Sequence, residues 1–551
     1  INLGQLYAQQ RNYAEAERAF RAALDGEPYN TTALYGLANV LLRSNQREEG
    51  QRLLQQFQTL RQTGAGTSIG TNYLEQGRYA EAVTSTGAEA GLVERKTPEV
   101  TFNDATANVL PAAAAKRPPP RTAPPARRIN KASYDAQLNR QQLFARIGGG
   151  ATLFDFDGDG DLDLFEVAPD AQKLYRNDGG KFVDVTDHAG ALASKAAGVG
   201  VAAVAGDYDN DTRPDLFVLR SGGVALYHND GAGKFSNTTN AAGIAPYPYL
   251  SASAAFADVD HDGDLDLFIA GYADLSKISL APLVPENSVG GNVKSQDLIA
   301  APAPNRLLRN NGNGSFTDTT AAAKVAGGAG NAVAVVPTDY DNRRDVDLLV
   351  ISYEHPPALY SNMRDGSFRD VAREVGLDMR GRFLCAAAGD VNKDGYTDLF
   401  FGADAAAGTF AMSDGRGRFK TANAPAATMN ATVAQFLDYD NDGLLDLLTV
   451  TPGGARIWRN LGDEWLEVSE RAVASAFRRN NSAGKEEGDS RLLASGDVDG
   501  DGDTDFIVRD AAGNLQFGRN DGGNRNRALG VRLAGRVSNR SGVESKVEMR
   551  A

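Results

Sequence analysis

The sequence predicts a chain in two parts: an all-α array of short helical repeats, then an all-β array of seven repeated units. Three observations carry this expectation. Glycine, tyrosine and alanine recur at fixed spacings through residues 1–92. An acidic loop of the form Asp-x-Asp-x-Asp-Gly-x-x-Asp, with local variations, is spelled seven times between residues 155 and 505. Each copy runs at once into Leu, Phe, Ile or Val, the composition of a buried strand.

The helical part reads as follows. Gly4, Tyr7, Gln10, Tyr13, Ala14, Glu15 and Ala16 return 66 residues later as Gly70, Tyr73, Gln76, Tyr79, Ala80, Glu81 and Ala82. An intermediate copy shows in Leu37, Ala38 and Leu41, 34 residues after Leu3, Gly4 and Tyr7. Ala19, Phe20 and Pro28 complete the first unit. Small residues between aromatic ones let stacked helices approach, and a period near 34 suits helix pairs. Residues 1–99 thus resemble the tetratricopeptide repeat family. The third copy departs after Ala82, where Thr84, Ser85, Thr86 and Gly87 lower helix propensity. The resemblance implies a concave groove for a protein partner; a helical spacer without its own ligand stays open. Residues 100–135 are expected to be a linker, because Lys116–Arg128 carries five basic residues among consecutive prolines.

The acidic loops are read as calcium sites. Calcium takes six to eight oxygen ligands in adaptable geometry, which a tight carboxylate-rich loop supplies. Positions 1, 3 and 5 face one centre, glycine at 6 allows the bend, and aspartate at 9 closes the shell. The clearest copies are Asp155, Asp157, Asp159 and Asp163, then Asp258, Asp260, Asp262 and Asp266. Asp438, Asp440, Asp442 and Asp446 form a third, and Asp497, Asp499, Asp501 and Asp505 a fourth. The loop Asp207, Asp209, Asp211 and Asp215 has Thr212 in place of glycine, and Asp390, Asn392, Asp394 and Asp398 trades one charge for an amide. Position 7 is expected to offer only its backbone carbonyl, so its side chain is free to vary: Asp161, Arg213, Asp264, Tyr396, Leu444 and Asp503. In the remaining loop, Asp339, Asp341 and Asp347, Arg343 and Arg344 occupy positions 5 and 6. A guanidinium there is expected to replace the cation, giving six calcium sites and one metal-free mimic. The β-rich flanks exclude EF-hands, the stricter octahedral demand disfavours magnesium, and zinc lacks its His and Cys ligands.

The loops begin 52, 51, 81, 51, 48 and 59 residues apart, and about 50 residues suits a four-stranded propeller blade. Ala- and Gly-rich stretches precede them, fitting a crowded innermost strand. A second phrase follows: Leu174-Tyr175-Arg176-Asn177-Asp178-Gly179, Leu226-Tyr227-His228-Asn229-Asp230-Gly231 and Leu307-Leu308-Arg309-Asn310-Asn311-Gly312. Its Asn-Gly and Asp-Gly steps read as hairpin turns. A phenylalanine then returns as Phe182, Phe235, Phe316, Phe368 and Phe419. Residues 136–525 thereby resemble the FG-GAP/VCBS repeat family, the propeller also found in integrin α-chains. The resemblance implies seven blades with calcium between the first and second strand of each. Residues 526–551 resemble the opening of an ASPIC/UnbV domain, although Val543-Glu544-Ser545 departs from its pattern.

The formal charge of −14 would repel nucleic acid and anionic membranes, yet six calcium ions would bring it to about −2. The acidity is mostly ligand. No apolar run approaches the ~20 residues of a membrane span. Cys385 is the single cysteine and reads as a packed thiol in a buried strand. The chain begins Ile1-Asn2-Leu3 and is expected to be a segment of a longer, exported protein. His188, His228, His261 and His355 are scattered between units, and the paired carboxylates are already explained by metal ligation. The expectation is a non-enzymatic, calcium-stabilised extracellular interaction or adhesion module. Its partner is another protein or a second copy, and helix-to-propeller docking would build a fibre. Two readings stay open beside it: glycan binding, and a polysaccharide-degrading enzyme using the propeller face. The insert near Gly271–Ala303 is a candidate contact surface.

Overall fold

The computed structural model describes residues 1–62, 95–115, 149–280, 298–469 and 491–525, apart from positions 27, 29, 195, 196, 328, 329, 511 and 512. The third helical copy, the proline-rich run and residues 526–551 lie outside the described residues.

Four helices open the chain: α1 (Asn2–Gln9), α2 (Tyr13–Gly26), α3 (Thr31–Arg43) and α4 (Arg47–Gln62). Each packs on the next. The small residues of the repeat explain the close approach, because Gly4 and Gly36 both lie against the Phe20 ring. A Cβ would stand 2.9 Å from that ring at Gly4 and 2.5 Å at Gly36. Phe20, Leu34, Leu37 and Leu41 form the buried seam. Asn30 caps α3, its side-chain oxygen accepting from the Ala33 amide at 3.0 Å.

Seven four-stranded antiparallel sheets follow, each running outward from a short inner strand. The inner strands are Gly150–Phe154, Gly200–Gly206, Leu250–Ala257, Ala332–Thr338, Phe383–Gly389, Val433–Leu437 and Arg491–Gly496. Each second strand begins at the ninth residue of its acidic loop and is buried along nearly its whole length. Inner strands pack side by side from blade one to blade six, and blade seven meets blade one. The Ser495 hydroxyl donates to Gln435 at 2.7 Å and joins blades six and seven. The ring is closed, so the repeat becomes a seven-bladed propeller.

Closure corrects one boundary. Blade seven takes its fourth strand from Thr101–Asp104, which pairs antiparallel with Asp521–Gly518. Part of the segment read as linker over 100–135 is therefore the outer strand of the last blade, more than four hundred residues from its partners. That strand is four residues long with one large apolar side chain, so periodicity gave no sign of it. Phe102 is that side chain, 1% exposed and 4.7 Å from the Phe506 ring centre.

Phe102 completes a pattern. In blades one to four the recurring phenylalanine pairs across the outer strands with an asparagine: Phe182 with Asn177, Phe235 with Asn229, Phe316 with Asn310, Phe368 with Asn362. Trp465 faces Asn460 in blade six, and Phe102 faces Asn520 in blade seven. Blade five pairs Phe419 with Ser413. These asparagines do more than turn a hairpin. Each amide donates across the blade boundary to the carbonyl of loop position 2 in a neighbouring blade. Asn177 reaches Val498, Asn229 reaches Phe156, Asn310 reaches Tyr208, and Asn362 reaches Val259, at 2.7–2.8 Å. Asn460 reaches Val391 at 2.7 Å, and Asn520 reaches Tyr439 at 2.9 Å. Buried amide-to-carbonyl bonds thus fasten the blades to one another.

The long third interval is an insert between the second and third strands of blade three. Its base is a hairpin of Ile278–Leu280 against Leu298–Ala300, and residues 281–297 lie outside the described residues. Cys385 is buried, its thiol donates to the Ala431 carbonyl at 3.3 Å, and burial pushes its pKa up to about 12. It is a packed thiol, as its apolar neighbours suggest.

Replacing Asn310 by serine should remove the donor that reaches Tyr208 and Leu265, at 2.7 and 3.1 Å. Stranding two buried carbonyls should cost about 2–3 kcal/mol, read as a loss in urea unfolding free energy. A loss below about 0.5 kcal/mol would show that the blades do not depend on this clamp.

Candidate metal centre

The seven loops share one backbone path. Positions 4 and 6 have left-handed backbone in every copy, including Asn210, His261, Asn342, Lys393 and Asn441 at position 4. At position 6 glycine meets this need in five copies, while Thr212 and Arg344 adopt φ of 79° and 66° without it. Position 4 carries Gly, Asn, His or Lys. Its preference for Gly and Asn was a signal available in the sequence.

This path gathers backbone amides around the carboxylates. Position 1 accepts from the amides of positions 4 to 6: Asp155 from Gly158 and Gly160, Asp207 from Asp211 and Thr212, Asp258 from Asp262 and Gly263. Asp390, Asp438 and Asp497 repeat the arrangement. Position 5 accepts from the amide of position 7, as in Asp159, Asp211, Asp262, Asp394, Asp442 and Asp501. Position 9 ties the loop to the third strand. Asp163 accepts from the Asn177 amide at 2.8 Å, and Asp215, Asp266, Asp398, Asp446 and Asp505 do the same with their own third strands.

The amides leave oxygens over. At positions 3 and 9, Oδ1 of Asp260, Asp341 and Asp499 and Oδ2 of Asp347 are buried without a hydrogen-bond donor. Within a loop the carboxylates converge. Oxygens of Asp155, Asp157 and Asp163 lie within 4.8 Å of one another, as do those of Asp207, Asp209 and Asp215, and of Asp258, Asp260 and Asp262. Several desolvated carboxylate oxygens aimed at one point need a cation, and a hard divalent ion fits the donor set. The residues present therefore fit calcium. They would supply side-chain oxygens from positions 1, 3, 5 and 9 and lower the repulsion among them when the ion binds.

The side chains at position 7 have partners of their own. Asp161 accepts from Gly179, Asp264 from the Asn210 amide of the preceding blade's loop, and Asp503 from Asn524. The Arg213 guanidinium donates to the Asn229 carbonyl at 2.8 Å and pairs with Asp211, and Leu444 is buried. Tyr396 lies against Gly415.

In the fourth loop Arg343 Nε pairs with Asp341 Oδ2 at 3.3 Å. The guanidinium sits at the outer oxygen, however, and Asp341 Oδ1 and Asp347 Oδ2 remain without donors. Oxygens of Asp339, Asp341 and Asp347 also lie within 4.8 Å of one another. The arginine does not fill the centre of the loop.

Burial dominates the acid–base behaviour. It pushes Asp163, Asp398 and Asp505 up to about 7 and Asp215 to about 8, against partial relief from amide donors. Asp266, Asp347 and Asp446 rise well above the usual range for the same reason, reinforced by neighbouring aspartates.

Comparison with known proteins comes to the same repeat. The pattern of the FG-GAP-like repeat family matches residues 155–218, 207–269, 339–401, 390–449 and 438–508. A tetratricopeptide repeat pattern matches residues 7–58. Cartilage acidic protein 1 of Xenopus tropicalis is 23% identical over 400 residues, covering 66% of this chain and 57% of that protein. The Mus musculus protein of the same name is 24% identical over 418 residues, covering 61% and 63%. The match thus spans less than two thirds of either relative. Among solved structures, an Agrocybe aegerita lectin gives a TM-score of 0.38 at 16% identity, covering 58% of this chain and 79% of that one. A Bacillus licheniformis rhamnogalacturonan lyase gives 0.37 at 14%, covering 68% and 60%. Likeness this loose carries no argument.

Two outcomes are expected. Thr212→Gly should raise unfolding free energy by about 1 kcal/mol, because a β-branched residue leaves the left-handed region. No gain would show that the loop backbone is unstrained there. In chelator, melting temperature should fall as pH rises from about 4 to about 8. The raised carboxylates stabilise the fold while protonated, below their unfolded pKa near 4, and that contribution is lost as pH passes about 7 to 8. Calcium should abolish the fall, since it binds the ionised form and releases protons. A pH-independent melting temperature in chelator would contradict the burial of these groups as acids.

Proposed function

Because the chain belongs to the FG-GAP-like repeat family, whose pattern matches just over half of its length, we propose a calcium-rigidified, non-enzymatic protein-interaction module acting outside the cell. One observation carries this reading: the converging, buried carboxylate oxygens that no amide reaches, repeated around a closed ring. At least six loops take calcium, through Asp155, Asp207, Asp258, Asp390, Asp438 and Asp497 and their partners at positions 3, 5 and 9.

The energetics favour an environment rich in calcium. Extracellular sites commonly bind at about 0.1–1 mM. At about 1 mM calcium, a site with a dissociation constant near 0.1 mM contributes about 1.4 kcal/mol. Six such sites would contribute about 8 kcal/mol, comparable to the whole stability of a domain. At cytosolic calcium that support disappears. The relatives named for cartilage favour the same location.

The carboxylates favour binding over catalysis. An acid–base pair needs one group free to exchange a proton with substrate. Here positions 1, 5 and 9 are held by backbone amides, and His228 is held between Asp209 and Asp230 at 3.0 Å on either side. A rigid ring with helices ahead of it offers surfaces for a protein partner.

Calcium titration by calorimetry, with melting followed in parallel, tests the reading. The expected result is six or more ions per chain and a melting temperature that climbs with each addition. Fewer than six ions, or melting unmoved by chelator, would remove its basis.

A further inference from the structure

The phrase that precedes each clamp asparagine has a second conserved-looking element within this chain: the residue just before it. In blades one, two and three it is Arg176, His228 and Arg309, and in six and seven it is Arg459 and Arg519. Blades four and five carry Ser361 and Met412 instead. The division follows the acidic loops. Five loops have aspartate at positions 1, 3, 5 and 9, and these five have the basic residue. The fourth loop has Arg343 at position 5, and the fifth has Asn392 at position 3.

The geometry shows what the base touches. Arg459, 2% exposed, places Nε 2.8 Å from Asp440 Oδ2 and Nη2 3.0 Å from Asp442 Oδ2. His228 Nε2 stands 3.0 Å from Asp209 Oδ2, and Asp230 holds its other ring nitrogen. Arg309 Nη1 lies 3.9 Å from Asp260 Oδ2, while Asp260 Oδ1 is buried without a donor. Arg176 and Arg519 turn instead to Asp178 and Asp521 on their own hairpins. In blades two, three and six the base thus reaches the position-3 aspartate, in two and six alongside position 5.

The two exceptions keep the rule. In the fourth loop Arg343 itself reaches Asp341 Oδ2, so position 3 again has a cation. In the fifth loop position 3 is the neutral Asn392, whose amide donates to Asp394 Oδ2 at 3.0 Å. There no cation is needed, and Met412 stands in its place.

We propose that the residue before the clamp position is a positioning residue, the dedicated cationic partner of the position-3 aspartate. It holds the outer oxygen, offsets repulsion among the loop carboxylates when no metal is bound, and leaves the inner oxygen to calcium. This rests on the calcium reading for the inner oxygen alone; the charge pairing stands in the metal-free protein.

A double-mutant cycle on the full chain tests it, with melting followed in chelator and in millimolar calcium. Arg459→Met should lower melting temperature in chelator, and the deficit should shrink by at least half in calcium, where the ion supplies the missing charge. Adding Asp440→Asn, which converts loop six to the composition of loop five, should restore most of the loss in chelator. A merely structural arginine predicts otherwise. Its deficit would be equal in both media, and Asp440→Asn would deepen it; either result overturns the proposal. Should Arg459→Met fail to fold, Arg309→Met with Asp260→Asn reads the same signature at a half-exposed guanidinium. If the unmodified chain gains nothing from calcium, the calcium reading fails, and restoration in chelator still decides the pairing.

Discussion

Mutual repulsion among buried carboxylates, met by amides and a cation, governs this molecule. Each blade begins its second strand with an aspartate that is removed from water, as Asp163, Asp215 and Asp266 are fully buried. Desolvating an unpaired carboxylate costs several kcal/mol, so the surrounding backbone is committed to supplying donors. The left-handed turns at positions 4 and 6 turn amides inward, and the third strand lends one more. The remaining oxygens define the metal position.

Those same groups fix the larger architecture. The ninth-position aspartate accepts from the third strand of its own blade, and the asparagine there donates to the loop of a neighbouring blade. A cation in the loop would therefore stiffen three strands and one blade boundary together. Phe102, far upstream, enters the same register opposite Asn520, so the closing strand is locked by the pairing that organises the other blades. Rigidity of this kind suits a platform that presents surfaces to a partner.

Much of this was legible in the sequence, for a physical reason. Period, loop grammar and buried second strands follow from local composition, and the seven loops and their carboxylates were readable directly. The clamp asparagines were visible but read as turn residues, because their bonds run to carbonyls up to about a hundred positions away in some blades and to the far end of the ring in another. The closing strand at Thr101–Asp104 was hidden for a related reason. Its partners are the last strands of the ring, and nothing local marks a four-residue segment as one edge of a distant sheet. The arginine in the fourth loop was expected to stand in for the cation, yet a sequence cannot tell the outer oxygen of a carboxylate from the inner one.

Lanthanide-soaked crystals of the chain, with anomalous scattering measured at the lanthanide edge, would locate the ions directly. The account predicts one peak inside each of at least six loops, about 2.3–2.6 Å from carboxylate oxygens of positions 1, 3, 5 and 9. Peaks confined to surface carboxylates, with none inside the loops, would contradict it.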